Sequence, residues 1–212
     1  MPSGEVKVVI FDMGGVVFQV VGIPKIMSSV RNVSKSPNFG NVLARMEVGE
    51  ITLPELLKYK ETLISDSGNA ETIEKEMTNV SANIMDQFKR DETVIAAIHA
   101  LREKGFKTAL LTNNMWLDAA KTTSMIMEEP EKMFDFTVES CREELRKPDR
   151  KIFELAVKRF GFAANECVFL DDLKENCEGA ESIGIRTIHV DHTDTRKAVN
   201  TLEEILGCKL ID

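Results

Sequence analysis

Polar side chains that can bind phosphate or a metal ion follow four apolar stretches of this 212-residue chain. They are Asp12, Thr112 with Asn113, Lys147 in a polar loop, and Asp171 with Asp172. Carboxylate oxygens suit a hard cation such as Mg²⁺, which keeps part of its water shell and bridges to a phosphate. A carboxylate can also attack phosphorus and form an aspartyl-phosphate. The residue types therefore indicate metal-assisted phosphoryl transfer, provided that the fold brings them together.

Each of these residues taken alone has an ordinary structural explanation. Asp12 can end a strand at a tight turn, and the pair Asp171-Asp172 can cap the helix that follows it. The composition of residues 112–114 is typical of a turn or a helix cap, and a single lysine in a loop is usually solvated. The site is favoured because all four positions lie at or just after the ends of predicted strands.

Alternating strands and helices explain how the four positions meet. Buried strands are predicted from apolar, largely β-branched runs at residues 6–11, 106–111, 133–138, 166–170 and 185–190. Helices are predicted at residues 93–104, 116–128, 173–183 and 201–206, with a further helix opened by Pro148 and closed by Gly161. Short connections between these elements predict a doubly wound, Rossmann-like α/β fold with a parallel sheet. Ligands bind at the carboxyl ends of the strands in such sheets.

Residues from about 24 to 90 interrupt this alternation. Their apolar residues recur at helical spacing without a strand signal, so we predict an all-helical insertion after a short flap or hairpin. Thr52 and Glu55 have the spacing of a capping box, in which each side chain bonds the backbone N–H of the other residue. The predicted division is a core of residues 1–16 plus 91–212 and an α-helical cap of residues 17–90.

Composition limits the partners that we expect. The net charge of -8 argues against nucleic acid binding, which needs a basic surface, and against anionic membranes. No apolar stretch approaches the roughly 18 residues of a membrane span, and we expect no signal peptide. Four cysteines without a C-x-x-C pair favour a reduced compartment, which we take to be the cytoplasm. The sequence is compatible with a monomer and with a homodimer.

Four motifs in this order resemble those of the haloacid dehalogenase (HAD) superfamily. They are Phe-Asp12-x-x-Gly-Val, Leu-Leu-Thr112-Asn113, Lys147-Pro148, and Phe-Leu-Asp171-Asp172 with Asn176. Residues 49–52, 134–141 and 170–173 are also similar to the N-terminal phosphatase domain of soluble epoxide hydrolase. Residues 11–16 are similar to the related domain fused to some acyl-CoA dehydrogenases. The resemblance spans nearly the whole chain and implies a Rossmann-like core with a helical cap after the first strand.

The chemistry and the resemblance together assign roles to these residues. Asp12 is the expected nucleophile, and the resemblance implies a Mg²⁺ ion held by Asp12, by the backbone carbonyl of Gly14 and by Asp172. The resemblance also implies that Asp171 pairs with the lysine or supports the site, and that Asn176 steadies the metal-binding loop.

The phosphoryl group has its own expected partners. The Thr112 hydroxyl and the Asn113 backbone N–H, at a predicted helix N-terminus, would hold its oxygens. Lys147 would offset the negative charge and stabilise the equatorial oxygens in the transition state. We therefore expect a small phosphorylated substrate.

Gly14 departs from the superfamily pattern. Most of its phosphatases carry a second aspartate there, which protonates the leaving oxygen and later deprotonates the attacking water. Loss of a general acid–base lowers a rate by roughly 10²–10⁴, or about 3–5 kcal/mol, although the backbone carbonyl remains for the metal. Some sugar-phosphate phosphatases of the superfamily also carry glycine, and a leaving group of low pKa, such as an anomeric or acyl phosphate, needs the acid least.

Three functions stay open on this evidence. The first is a Mg²⁺-dependent phosphatase for a small phosphomonoester, slowed or specialised by Gly14. The second is a weak or inactive domain that binds a phosphate ester or a partner. The third is a dehalogenase, whose ester intermediate needs no leaving-group acid. Dehalogenases work without metal and lack an aspartate pair at the fourth strand, so Asp171-Asp172 argues against this third function.

Overall fold

A five-stranded parallel sheet forms the centre of the computed structural model, which describes residues 5–20, 37–59, 61 and 88–212. The strands of this sheet are β1 (Val8–Phe11), β4 (Lys107–Thr112), β5 (Phe136–Glu139), β6 (Cys167–Asp171) and β7 (Arg186–His189). Their order is β5-β4-β1-β6-β7, with β1 in the middle. Phe11 is level with Leu110 on one side and Leu170 on the other, so β1, β4 and β6 end side by side.

Helices cover both faces of the sheet. The described helices are α1 (Pro37–Glu47), α2 (Glu92–Glu103), α3 (Ser140–Glu143), α4 (Arg150–Phe160), α5 (Lys174–Glu181) and α6 (Thr195–Leu206). Alternate residues of β1 point to opposite faces: Val9 and Phe11 join the core under α2 and α6, whereas Val8 and Ile10 join the core under α4 and α5. No helix in the described ranges has the length and apolarity to cross a bilayer. The predicted doubly wound α/β fold is confirmed.

Local signals place several helix ends where the sequence predicts them. Asp91 caps α2 by accepting a hydrogen bond from the Val94 N–H at 3.0 Å, and the left-handed Gly105 follows the end of this helix. Gly161 ends α4 with φ of 78°, a conformation that glycine adopts without strain. The last helix, α6, begins at Thr195, six residues before the predicted start, because Asp194 caps it.

The predicted helix at residues 116–128 is wrong. This segment is an irregular loop in which an isolated bridge joins Trp116 to Ser124. The Asp118 carboxylate accepts hydrogen bonds from the N–H groups of Thr122 and Thr123, at 3.1 and 2.6 Å. Such local side-chain bonds give the backbone an alternative to helical pairing.

Pro148 does not open the following helix as predicted. The helix α4 begins two residues later, where Asp149 caps it by accepting a hydrogen bond from the Lys151 N–H at 3.0 Å. The peptide between Lys147 and Pro148 is cis.

The described part of the insertion is not all helical. Strand β2 (Phe18–Val20) pairs antiparallel with β3 (Phe88–Arg90), which contradicts the helix predicted through Phe88. The rest of the predicted flap, residues 21–24, lies outside the described residues. A 3-10 helix spans Leu53–Tyr59, between β2 and β3 in the chain. Half of the capping box forms, since Glu55 accepts hydrogen bonds from the N–H and hydroxyl of Thr52, both at 3.0 Å. Because most of residues 21–87 lies outside the described residues, the boundaries of the cap stay a prediction.

Candidate active site

Lys147 lies between two carboxylates at the carboxyl end of the sheet. Its Nζ is 2.8 Å from Oδ1 of Asp12 and 2.6 Å from Oδ2 of Asp171. The lysine is only 1% exposed. Burial disfavours its charge, but the carboxylates of Asp12 and Asp171 outweigh burial and raise the pKa of the ammonium above its usual range. Lys147 is therefore a fixed, buried positive charge.

Asp12 ends β1 as a buried carboxylate next to this charge. Its N–H donates to the Leu170 carbonyl at 2.9 Å, which fixes the start of the turn. Burial raises the pKa of Asp12 to about 7; Lys147 opposes this shift, and the nearby Asp171 adds to it. A nucleophile or metal ligand must be ionised, and a divalent cation beside Asp12 would favour the ionised form as Lys147 does.

Asp171 is fully buried and holds several neighbours at once. Its Oδ1 accepts from the Leu173 N–H at 2.8 Å and from Nδ2 of Asn176 at 3.0 Å. Its Oδ2 accepts from Lys147 and, at 3.1 Å, from the same Asn176 amide. Asp171 therefore anchors both the lysine and the turn that leads into α5.

Three carboxylates gather around one small volume at this edge. Oxygens of Asp12, Asp171 and Asp172 lie within 4.8 Å of one another. All the donors are carboxylate oxygens, the ligands that suit Mg²⁺. Lys147 contacts Asp12 and Asp171, and a cation bound among the three carboxylates would relieve their mutual repulsion. The donor set fits a magnesium ion.

Gly15 is a site residue that the sequence reasoning missed. Its φ is 82°, and a Cβ atom there would lie 2.5 Å from the carboxylate of Asp172. Only glycine lets the turn after β1 approach Asp172 this closely. The signal in the sequence is the second glycine of a pair that begins two residues after the strand-end Asp12.

Gly14 has the opposite environment. Among the described residues, and apart from Gly14 and its two chain neighbours, no heavy atom lies within 4 Å of the position where its Cβ would stand. The turn around it is closed by hydrogen bonds between the Gly15 N–H and the Phe18 carbonyl at 2.7 Å, and between the Phe18 N–H and the Met13 carbonyl at 2.9 Å. The described part of the chain therefore leaves room for a Cβ atom at position 14.

Thr112 ends β4 and Asn113 follows it, but no helix begins directly after them. The expected helix N-terminus at Asn113 is therefore wrong. The buried Thr112 hydroxyl donates to the Asn113 carbonyl at 3.3 Å. The Asn113 side-chain amide binds both backbone polar groups of Lys147. Its Oδ1 accepts from the Lys147 N–H at 2.9 Å, and its Nδ2 donates to the Lys147 carbonyl at 3.0 Å. Holding the lysine loop is a function of Asn113 that the sequence did not indicate.

A buried polar cluster joins the segment after β4 to the end of β5. The Asn114 N–H donates to the Ser140 hydroxyl at 2.8 Å, and Nδ2 of Asn114 donates to Glu139 at 2.8 Å. Arg142 donates to the other oxygen of Glu139 at 2.5 Å and also lies over the ring of Trp116. The cluster replaces the missing helix as the support for Thr112 and Asn113.

Comparisons with known proteins agree with this geometry. A family model described as a haloacid dehalogenase-like hydrolase matches residues 6–184. Acyl-CoA dehydrogenase family member 10 from Mus musculus is 35% identical over 214 residues, covering 96% of this chain and 19% of that protein. Bifunctional epoxide hydrolase 2 from Sus scrofa is 32% identical over 176 residues, covering 80% of this chain and 31% of that protein. The chain therefore spans less than a third of the length of either relative.

Two further matches cover most of both chains. A sesquiterpene phosphatase from Aspergillus oryzae is 25% identical over 202 residues, which cover 95% of this chain and 97% of that protein. A solved magnesium complex of a HAD family enzyme from Bacteroides thetaiotaomicron superimposes with a TM-score of 0.62 at 19% identity, covering 89% of this chain and 95% of that one. The structural match shows a shared fold, and the sequence matches confirm the resemblance inferred from the motifs.

Proposed function

Since the chain belongs to the haloacid dehalogenase-like hydrolases, we propose that it is a Mg²⁺-dependent phosphatase of small phosphomonoesters, with Asp12 as the nucleophile. One observation carries this proposal: the buried Lys147 lies 2.8 Å from Asp12 in a group of three carboxylates. The match to a phosphatase over nearly the full length of both chains supports it. A dehalogenase is less suitable, because the carboxylate group is a metal-binding donor set.

The proposed metal ligands are Asp12, Asp172 and the backbone carbonyl of Gly14. A bound Mg²⁺ neutralises phosphate charge and favours the ionised carboxylates. The Gly15 backbone contributes by leaving room for the Asp172 carboxylate. Asp171 and Asn176 support this arrangement indirectly, since they hold each other and the turn that carries Asp172.

The chain's own residues have defined parts in the two chemical steps. In the first, an Asp12 oxygen attacks phosphorus while the ester P–O bond breaks, giving an aspartyl-phosphate and an alcohol. In the second, water attacks phosphorus, the bond to Asp12 breaks, and inorganic phosphate leaves. Lys147 offsets the charge of the equatorial oxygens. The Thr112 hydroxyl and Asn113 backbone N–H bind a phosphoryl oxygen, without the help of a helix terminus.

Proton transfer is the weak part of this machinery. Gly14 cannot protonate the departing oxygen or accept a proton from water, so solvent must do both. This favours substrates whose leaving group has a low pKa, such as anomeric or acyl phosphates.

A second candidate function is a domain that binds a phosphate ester without turning it over. The observation that favours it is also at Gly14: in the described part of the chain, no titratable side chain lies within 4 Å of the missing Cβ to replace the absent acid. Such a domain would retain the magnesium and phosphate sites and lose only the reaction.

Phosphate release from aryl, alkyl, anomeric sugar and acyl phosphates, with and without Mg²⁺, distinguishes the two functions. The phosphatase proposal predicts Mg²⁺-dependent phosphate release that Asp12→Asn abolishes. The control variant Asp191→Asn, which changes an exposed aspartate, should retain this release. Calorimetric titration of Mg²⁺ into the same protein measures the metal site independently. Magnesium binding without release from any of the four classes would overturn the phosphatase and support the binding domain.

A further inference from the structure

Glu47, the last residue of α1, brings the insertion into contact with three loops of the site. Its side chain is 14% exposed, and its Oε2 accepts hydrogen bonds from Nε of Arg146 and, at 3.4 Å, from Nδ2 of Asn113. Its backbone carbonyl accepts from the Ser140 hydroxyl at 2.5 Å. One residue of the insertion therefore reaches the end of β4, the start of α3 and the residue before Lys147.

Asn113 connects Glu47 to the lysine loop. The amide NH₂ group has two hydrogens, and its two acceptors are the Glu47 carboxylate and the Lys147 carbonyl. The amide oxygen accepts from the Lys147 N–H. A flipped amide would place its oxygen against the Glu47 carboxylate and the Lys147 carbonyl, and its NH₂ group against the Lys147 N–H. All three contacts would then be repulsive.

The Glu47 carboxylate thus favours the one amide orientation that binds the Lys147 peptide. Arg146, the neighbour of Lys147, donates to the same carboxylate oxygen, so the loop is held both directly and through Asn113. The held peptide belongs to the lysine whose Nζ contacts Asp12 and Asp171. A displacement of this peptide would move the ammonium away from the phosphoryl group.

We propose that Glu47 is a positioning residue for the reaction: by orienting Asn113, it fixes the backbone of Lys147 and hence the reach of its ammonium. The proposal rests on the phosphatase function proposed above. It makes the insertion part of the catalytic geometry, since α1 supplies the carboxylate that aligns a core residue.

The kinetic test compares three variants in the hydrolysis of p-nitrophenyl phosphate. Glu47→Ala is expected to lower kcat by roughly 10–100-fold with little change in KM, because misplacement of a catalytic group by about 1 Å has effects of this size. Glu47→Gln retains an oxygen that can accept from Asn113 and should recover much of the loss. Glu50→Ala is the matched control, since it removes an exposed carboxylate of the same segment whose ion pair is with Arg45.

Exchange of the Lys147 backbone N–H, measured by nuclear magnetic resonance, tests the same contact without turnover. Glu47→Ala should accelerate this exchange, and Glu50→Ala should not.

If the wild-type protein releases no phosphate, the function proposal fails while the exchange measurement still tests positioning. If Glu47→Ala does not fold, Glu47→Asp replaces it, because it withdraws the carboxylate by one methylene and retains the charge. Unchanged exchange at Lys147 in the folded variant, or an equal kcat loss in Glu50→Ala, would overturn the proposal.

Discussion

The backbone of Gly15 lies so close to Asp172 that a Cβ atom on residue 15 would be 2.5 Å from the aspartate carboxylate. The left-handed φ of 82° at Gly15 turns the chain away from the end of β1 at the same point. Asp12 and Asp172 share one cluster of carboxylate oxygens on either side of this turn. The metal site that we propose therefore depends on a residue that contributes no ligand atom.

Gly15→Ala is expected to weaken magnesium binding as well as folding. The left-handed backbone alone costs an alanine roughly 1–2 kcal/mol, and the added methyl group displaces the Asp172 carboxylate. Gly161→Ala is the matched control, because its φ is 78° but its Cβ would meet no other described residue, beyond its chain neighbours, within 4 Å. Both variants should unfold at lower temperature, and only Gly15→Ala should show weaker Mg²⁺ binding in calorimetry. Equal magnesium affinity in the two variants would show that the close approach is unimportant.

Gly14→Asp is expected to raise turnover, since it supplies the missing acid at a position where no described residue beyond the two chain neighbours lies within 4 Å of the new Cβ. The gain should reach up to about 10²-fold for alkyl phosphates, and it should be smaller for aryl phosphates, whose leaving groups need less protonation. Gly14→Asn is the control, because it has nearly the same size but cannot transfer the proton. The measurement is kcat for a matched alkyl and aryl pair. A similar gain from asparagine would mean that proton transfer does not limit the reaction.

Lys147→Met should destabilise the protein because it leaves the carboxylates of Asp12 and Asp171 facing each other without a cation. Removal of one partner from a buried ion pair costs about 3–5 kcal/mol. Without the lysine the pKa of Asp12 rises above its wild-type value of about 7. In acid the protonated Asp12 relieves the repulsion in the variant, so the loss of stability relative to the wild type grows as pH rises above about 7. Urea unfolding at about pH 5 and about pH 8 measures this difference.

Lys158→Met serves as the control for that experiment, since Lys158 is an exposed lysine on α4. Its free energy of unfolding should stay near the wild-type value at both pH values. An equal loss of stability for Lys147→Met at both pH values would contradict the assigned interaction with ionised carboxylates.

The residues at the strand ends were predictable because each follows a contiguous buried run. Asp12 and Asp171 end strands whose residues are all buried, and the alternation of strands and helices places β1 and β6 side by side. The family resemblance implied that Asp171 either pairs with Lys147 or supports the site, and the structure contains the pair. Parallel-sheet topology therefore transfers well from sequence to structure.

The support around these residues was not predictable in the same way. The bond between Glu47 and Ser140 joins residues 93 positions apart, and no local pattern announces it. The helix predicted at residues 116–128 does not form, because the sequence does not reveal the hydrogen bonds that Asp118 makes within this loop. The role of Gly15 was not predictable because its close contact with Asp172 exists only in the folded chain.

Glu203 makes a pH-dependent contribution to folding at the far end of the molecule. Its Oε1 accepts from the N–H groups of Leu210 and Ile211, at 2.8 and 3.1 Å, and Lys209 donates to its Oε2. The Leu210 N–H, the lysine and the Ile211 N–H together lower the pKa of Glu203 to about 2. An unfolded glutamate has a pKa of about 4.3. The stabilisation is therefore complete above that value and is lost as pH falls toward about 2.

Glu203→Gln should consequently be less stable than the wild-type protein near neutral pH, and the difference should shrink as the solution is acidified below about pH 4.3. Chemical unfolding at a series of pH values, with the free energy of unfolding compared between the two proteins, measures this convergence. Glu204→Gln is the control because the side chain of Glu204, the residue after Glu203, is exposed. Stability curves for Glu203→Gln and wild type that stay parallel through the acid range would show that the ionised carboxylate of Glu203 does not hold residues 209–211 to α6.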